Sequence, residues 1–453
     1  MTLKLNKYIF FSLPFILFFS CTEEINVDET DLQIRYISQP KNQFPIFFQE
    51  NGEELIIYYW GDKEPKEWAF YYNSLDKAGL NENNSNFLTG IICGGNVASN
   101  PNYYIPKNTI ATKKGNNVLL RAPMTDYWGN EYAVEFDPET GLKNYQINMN
   151  FKSPDNPRRN IDSFRYTWGN NYSSPLYPIQ DGFVISQTSD FVSKLNQNNI
   201  ILYDPDESKS FKKYFSLDPQ IFNQNELVNI DILDFQINGG KMNSLLIGEA
   251  IDQVGNLSRN SKSKLFAAEL SKDSINSIAL KLNVTNGNYK VFDETLDFSY
   301  QFSISNQEKT NHIVVLGDQF EGEYRARNMF DYGGNEQIQI VSLDENLAKR
   351  YITYFDHFGS SIYIKGGEFL SNGDLVLIGY KTTSNFNSTN PFILFVNSKD
   401  GSITKEITLK SVINGKATWV KELDQRKIAI VGTTEVYGKV SNKSDIFLAT
   451  INY

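Results

Sequence analysis

The sequence predicts an all-β fold of seven like-built, four-stranded antiparallel units arranged in a ring. Three observations carry this. One strand type recurs at a near-constant period, the same partner strands surround each copy, and the chain ends supply the two parts of one incomplete unit.

Beyond residue 30 the apolar residues come in runs of five to seven, rich in Ile, Val, Tyr and Phe and bounded by Asn, Asp, Gly and Ser. Such runs are strands, not helices of period 3.6. One strand, here b, recurs as Leu55-Ile-Ile-Tyr-Tyr, Val118-Leu-Leu-Arg-Ala, Gly182-Phe-Val-Ile-Ser, Ser244-Leu-Leu-Ile-Gly, Ile313-Val-Val-Leu-Gly, Leu375-Val-Leu-Ile-Gly and Ile428-Ala-Ile-Val-Gly, 53 to 69 residues apart. A second strand, c, follows each: Trp68-Ala-Phe-Tyr-Tyr, Tyr132-Ala-Val-Glu-Phe, Ile200-Ile-Leu-Tyr-Asp, Leu265-Phe-Ala-Ala-Glu, Ile338-Gln-Ile-Val-Ser, Phe392-Ile-Leu-Phe-Val and Ile446-Phe-Leu-Ala-Thr.

Tight acidic turns follow most c strands, as in Asp137-Pro-Glu-Thr-Gly141, Asp204-Pro-Asp-Glu-Ser208, Ser271-Lys-Asp-Ser274, Asp344-Glu-Asn-Leu347 and Ser398-Lys-Asp-Gly401. Asp and Asn preset such turns by bonding nearby backbone, and Gly accepts positive φ. An alternating strand, d, comes next, as in Ile403-Thr-Lys-Glu-Ile-Thr-Leu. A further strand, a, opens the next unit, as in Ser361-Ile-Tyr-Ile-Lys or Ala417-Thr-Trp-Val-Lys.

One such sheet cannot bury both faces, so copies must stack about an axis, which is a β-propeller of seven blades. The last unit stops at its c strand, because Tyr453 ends the chain. The alternating segment Asp31-Leu-Gln-Ile-Arg-Tyr-Ile-Ser38 stands before the first unit without a partner. Pairing the two closes the ring and leaves neither edge open.

The c strand followed by Asp-Pro-Glu-Thr-Gly resembles quinoprotein and YVTN-type propeller repeats. The docking Trp of quinoprotein blades is missing at the matching d positions, where Tyr145, Tyr214 and Ile407 stand. No WD pair, kelch order of Gly-Gly, or sialidase Asp box occurs, and each absence removes a specific cofactor or enzyme expectation.

The N-terminus reads MTLKLNKYIFFSLPFILFFSC. Lys4 and Lys7 precede an apolar stretch, Tyr8 to Phe19, that is too short to cross about 30 Å of hydrocarbon as a helix. It fits a secretory signal over residues 1–20. Cys21 stands where a bacterial lipobox places its acylated residue, and the aromatic-rich signal resembles lipoproteins of Bacteroidetes-type bacteria. The resemblance implies lipidation at Cys21, a tether over 21–30, a propeller over 31–453, and an outer-membrane position. The acidic Cys21-Thr22-Glu23-Glu24 resembles the export signal that turns such lipoproteins toward the cell exterior. The alternative is an ordinary cleaved signal with an incidental cysteine.

Composition excludes more than it selects. The chain has 453 residues, 40% hydrophobic and 21% charged, with a formal charge of −10, two Cys and two His. An acidic chain lacks the basic field that nucleic-acid binding requires. Two cysteines make no disulfide scaffold or thiolate zinc site, and no cofactor or metal is expected. No phosphate loop, Gly-x-Ser-x-Gly elbow or His-Glu-x-x-His motif is present.

In this strand order the a–b and c–d turns share one rim, and the longer b–c and d–a connections share the other. Long connections cost closure entropy without adding core, so their gathering on one rim points to binding. Aromatics concentrate there: Tyr59-Trp60-Gly61-Asp62, Tyr127-Trp128-Gly129-Asn130, and Trp168 with Tyr172 near Arg158, Arg159 and Arg165. The 319–333 loop adds Tyr324, Arg325 and Arg327. Trp, Tyr and Arg together suit stacking on sugars or anchoring a peptide, although each Trp would equally cap the end of a blade core.

The expected function is therefore non-catalytic binding of an extracellular ligand, glycan or peptide, or of an outer-membrane transporter or another surface lipoprotein. A carbohydrate-active hydrolase or lyase using carboxylates near the axis is the alternative, with Glu321, Glu323, Asp331 and Glu336 as candidate acids. Asp356 and His357 form a candidate acid–base pair. His312 opens a b strand and is expected to pack near the core.

Overall fold

The computed structural model describes residues 32–37, 43–64, 67–78, 80, 82–94, 110–123, 131–137, 143–148, 151–152, 160–161, 176–180, 182–188, 198–203, 213–217, 226–251, 263–272, 279–292, 298–318, 337–356, 362–382, 388–424, 426–435 and 444–453. Every element among them is a strand.

Strand β1 (Leu32–Ile37) comes first. A four-stranded sheet follows: β2 (Gln43–Asn51), β3 (Glu54–Glu64), β4 (Glu67–Asp76) and β5 (Glu82–Gly94). The next holds β6 (Ile110–Lys114), β7 (Asn117–Pro123), β8 (Glu131–Phe136) and β9 (Lys143–Asn148). A two-stranded pair, β10 (Phe151–Lys152) and β11 (Asn160–Ile161), lies beyond it. Then come β12 (Tyr177–Ile179), β13 (Gly182–Thr188), β14 (Asn198–Tyr203) and β15 (Lys213–Leu217). They are followed by β16 (Glu226–Asn238), β17 (Lys241–Ile251), β18 (Ser263–Lys272) and β19 (Ala279–Phe292). Two more four-stranded sheets are β20 (Phe298–Ser305) to β23 (Lys349–Asp356), through β21 (Asn311–Asp318) and β22 (Gln337–Asp344), and β24 (Ile362–Phe369) to β27 (Ile403–Thr408), through β25 (Leu375–Thr382) and β26 (Thr389–Val396). The last contains β28 (Gly415–Asp424), β29 (Lys427–Glu435) and β30 (Ser444–Asn452), with β1 as its fourth strand.

The fold is thus all-β and built of small antiparallel sheets, compatible with a propeller-like arrangement. All seven predicted b strands and all seven c strands fall in strands that pair b to c. The chain ends meet as expected: β1 runs antiparallel to β30, from Leu32 opposite Ile451 to Ile37 opposite Ile446.

Two features depart from seven separate four-stranded sheets. β12 to β19 form one eight-stranded sheet, because outer strand β15 pairs in parallel with outer strand β19 from Tyr214–Ala279 to Leu217–Leu282. Two outer edges with unpaired backbone groups satisfy each other instead of facing solvent. The other departure is the β10–β11 pair between the second and third units, which no repeat predicted.

Alternation along each b strand supplies two packing faces. In β3, Leu55, Ile57 and Tyr59 pack toward the last sheet, with Leu423, Val431 and Leu448. Ile56 and Tyr58 face the other way, with Val118, Leu120 and Phe136 of the second sheet. Equivalent buried clusters join the β12–β15 and β16–β19 units, then the β16–β19 and β20–β23 units, and so on through β24–β27 to β28–β30. The positions that lack the docking Trp perform the same task with other side chains. Tyr145 on β9 stacks on Phe183 of β13 at 6.4 Å between ring centres, and Ile407 is buried in the cluster shared with the last sheet.

The first strands of successive units also touch in cyclic order: β2 with β6, β6 with β12, β12 with β16, β16 with β20, β20 with β24, β24 with β28, and β28 with β2. Five of these inner strands carry a bulge against their b partner. In β25 and β29 the Gly that ends the b motif sits at the bulge and accommodates it. A Cβ on Gly379 would lie 1.6 Å from the Tyr363 carbonyl oxygen, and one on Gly432 would lie 2.1 Å from that of Lys416. Only a residue without a side chain lets the bulged inner strand approach so closely.

Candidate functional site

Strand order separates two rims. Short hairpins join β2 to β3, β6 to β7, β16 to β17 and β28 to β29 on one rim, which the c–d turns share. The four longest connections, 95–109, 149–176 (with the β10–β11 pair), 252–262 and 319–336, all belong to the opposite, b–c and d–a side.

The sequence-predicted binding residues distribute unevenly over the described chain. Cys21, Trp128, Arg159, Trp168, Tyr172, Tyr324, Arg325, Arg327 and His357 lie outside the described residues, as do Glu321, Glu323, Asp331 and Glu336. Trp60 is described by its backbone. It lies within β3, opposite Phe44 and Phe70, and not in a loop after the strand. The b strand simply runs longer than its apolar run, leaving only residues 65–66 as the first b–c connection. Neighbouring Tyr59 is buried, and its hydroxyl donates to Asn73 Oδ1 at 2.8 Å. Asp356 ends β23, exposed, and accepts a hydrogen bond from Gln337 Nε2.

On the long-connection side the described residues assemble a group that sequence reasoning missed. Tyr363 of β24 and Tyr380 of β25 face each other across the strand pair and stack at 4.6 Å and 18°. The Lys365 ammonium lies 5.9 Å from each ring centre, and that of Lys416, on β28, lies 4.9 Å from the Tyr380 ring. Lys365 is the extra residue of the β24 bulge, skipped between the Ile364–Gly379 and Gly366–Ile378 pairs, and its side chain is exposed. Ring faces carry partial negative charge and hold the cations in place. Both rings are buried, so the group joins β24, β25 and β28 at this end.

Carboxylates on the inner strands have a different task. Tyr177 of β12 donates to Asp234 of β16 at 2.8 Å; burial, and then this carboxylate, push its hydroxyl up to about 12. Tyr300 of β20 donates to the buried Asp231 of β16, and Ser303 adds a bond of 3.3 Å to the same oxygen. Gln301 of β20 accepts from the Ile364 amide of β24 at 3.4 Å. Glu368 of β24 takes Lys421 Nζ and the Glu422 amide of β28. Each of these four contacts ties one inner strand to the next.

Glu368 and Glu422 are the described pair that most resembles two catalytic acids. Burial outweighs Lys421 and raises the Glu368 carboxyl above its ordinary range, as a general acid would need. Yet both Glu368 oxygens are engaged. Glu422 accepts from the Ser371 amide at 2.6 Å, from Ser371 Oγ at 2.7 Å and from Tyr453 Oη at 2.7 Å. Oxygens saturated by the protein's own donors act as clamps between sheets. Among the described residues, no group of three or more His, Cys, Asp or Glu side chains is placed to hold a metal ion.

His312 is buried on β21, as its sequence position suggested, and its Nδ1 lies 2.7 Å from Ser305 Oγ. Burial, reinforced by Lys309 and Arg350 and opposed by Asp344 and Asp234, pushes the imidazole down to about 4. The folded protein therefore holds His312 neutral between pH 6.5 and 4, while the unfolded chain takes up a proton in that window. Stability should fall as pH drops from 6.5 to 4, by on the order of 3 kcal/mol from this residue, and the contribution of His312 to the slope should vanish below 4. Urea titrations of the wild type and His312→Gln across this range check it: the variant's stability should fall less steeply, and parallel profiles would refute the assignment.

Fold and site together define an all-β protein of small antiparallel sheets, compatible with a propeller-like fold, whose described residues assemble no group of catalytic side chains. No protein-family model matches the chain, and no curated protein sequence matches it. Among solved structures, a Synechocystis apocarotenoid oxygenase variant is similar at 10% identity and a TM-score of 0.41, over 80% of this chain and 71% of that one. A Dyadobacter fermentans protein of unknown function is similar at 11% identity and a TM-score of 0.39, over 94% of this chain and 99% of that one.

Proposed function

We propose that the protein is an outer-membrane lipoprotein, anchored through Cys21 and facing the cell exterior, whose sheets are the seven blades of a closed propeller. Its long-connection rim binds an extracellular ligand, glycan or peptide, or a partner such as an outer-membrane transporter or another surface lipoprotein. The cyclic contacts of the inner strands and the β1–β30 pairing support the ring.

One observation carries the binding function. The four longest connections all belong to one side of the strand order, and Arg159, Trp168, Tyr172, Tyr324, Arg325 and Arg327 lie on two of them. The runner-up, a carbohydrate-active enzyme, loses support from the inner-strand carboxylates, which are occupied in joining sheets.

The test is a glycan and peptide array on the soluble Thr22–Tyr453 body, repeated with Trp60, Trp128 and Trp168 changed together to Ala. Truncating a hot-spot Trp typically costs about 2 kcal/mol or more, so affinity should drop well beyond tenfold. Equal binding by the triple variant would remove the aromatic-rim assignment.

A further inference from the structure

We infer that the hairpin rim faces the lipid headgroup surface and the long-connection rim points away from it. The inference rests on the proposed acylation of Cys21 and adds a direction to it. Its basis is where the described chain begins. Leu32 pairs with Ile451, at the end of β30 where the chain terminates. The Tyr453 amide donates to the Arg426 carbonyl at 2.9 Å, which puts the terminus beside the β28–β29 hairpin. The other end of β1 lies on the opposite rim. Ile37 pairs with Ile446, the Tyr36 hydroxyl donates to the Ser411 carbonyl at 3.5 Å, and Thr434 Oγ1 donates to the Ile413 carbonyl at 2.6 Å.

Hydrogen bonds extend this polarity from sheet to sheet. Lys427 Nζ reaches the Lys77 carbonyl at 3.5 Å, linking the last hairpin to the c–d turn of the first sheet. Ser371 and Tyr453 share Glu422, Ser398 Oγ bonds the Gly373 carbonyl, and Asn311 Nδ2 bonds the Ser398 carbonyl at 3.3 Å. Turns of four sheets therefore form one continuous belt at the rim where Leu32 enters.

Residues 22–31 separate Cys21 from Leu32. They span at most about 40 Å in any conformation. The nine-residue β30 puts the rims about 30 Å apart. Laying the far rim on the bilayer would consume most of that reach in running alongside the sheet. The near rim meets the bilayer with chain to spare, and the lysine–tyrosine group and the long connections are left on the outward side.

The experiment uses the full lipoprotein purified from membranes and reconstituted into phosphatidylethanolamine–phosphatidylglycerol vesicles carrying a headgroup nitroxide. Glu308→Cys, in the β20–β21 hairpin, and Ile413→Cys, 63% exposed beside the far end of β1, each receive a fluorophore in a Cys93→Ser background. Loss of most emission at position 308 with emission retained at 413 is the expected result. Reversed or equal quenching of a protein whose Cys21 carries acyl chains overturns the orientation alone. Absence of acyl chains on Cys21, read by mass spectrometry of the same preparation, overturns the anchor and the orientation with it.

Discussion

A body lacking residues 32–37 is expected to lose on the order of 5 kcal/mol of stability and to self-associate. Ile37 is buried among Phe48, Leu55 and Leu448, and Leu32 and Ile34 pack against the cluster that contains Phe447 and Ile451. Burying one full aliphatic side chain contributes about 1.5–3 kcal/mol, and two half-buried ones roughly as much again. The lost ladder adds to this, since each backbone hydrogen bond contributes about 1 kcal/mol net. The strand also covers β30, whose Ile446, Phe447, Leu448, Ala449 and Ile451 are all fully buried. Removing it bares an apolar edge with unpaired backbone groups, a template for pairing with another chain. Urea titration and size-exclusion chromatography measure both effects, and a synthetic 31–38 peptide should restore the monomer. A truncated body that stays monomeric with an unchanged midpoint would mean that β1 is an ornament.

Phe70→Ala should destabilise by about 3–5 kcal/mol, the usual cost of emptying a fully enclosed aromatic site. Phe70 is 0% exposed and joins two sheets: it stacks on Tyr58 at 6.1 Å and 10°, and meets Phe136 of the second sheet edge-on at 5.2 Å and 75°. Those ring contacts add roughly 0.5–1.5 kcal/mol each beyond area burial. Sheet-to-sheet aromatic packing leaves little room for collapse, since both walls are ladder-bound. Phe70→Leu, which keeps most of the volume, should cost less than about half as much. Equilibrium denaturation of the two variants separates the cases. Equal, small losses for both would show that the two sheets do not share a core at this point.

Much of the architecture was legible because strands announce themselves by composition and because the pattern repeats. Leu375-Val-Leu-Ile-Gly and Ile428-Ala-Ile-Val-Gly each predicted a strand, and the shared final Gly reports the close approach of the bulged inner strand. The partner of β1 was deducible because one segment and one unit were each incomplete. The β15–β19 pairing was not, since an outer strand's choice of neighbour depends on which edges meet in space, and residues 214–217 and 279–282 carry no mark of it. Tyr59 illustrates another limit. An aromatic followed by Trp-Gly-Asp looks like the start of a loop, yet the ladder continues to Glu64 and encloses it. The lysine–tyrosine group was invisible because a bulge moves Lys365 out of the alternating pattern and Lys416 comes from the next sheet. Contacts such as Tyr300–Asp231 join residues 69 positions apart, so side-chain order along the chain says nothing of them.

The ring itself is tested most directly by amide hydrogen exchange at Gln33 to Ile37 in the intact mature body. Closure through the termini predicts that the alternate amides of this edge strand that point at β30 are protected as strongly as Phe447 to Thr450 opposite, with both segments opening together as denaturant rises. Exchange of every amide from Gln33 to Ile37 within seconds, while Phe447 to Thr450 stay protected for hours, would mean that no strand closes the last sheet.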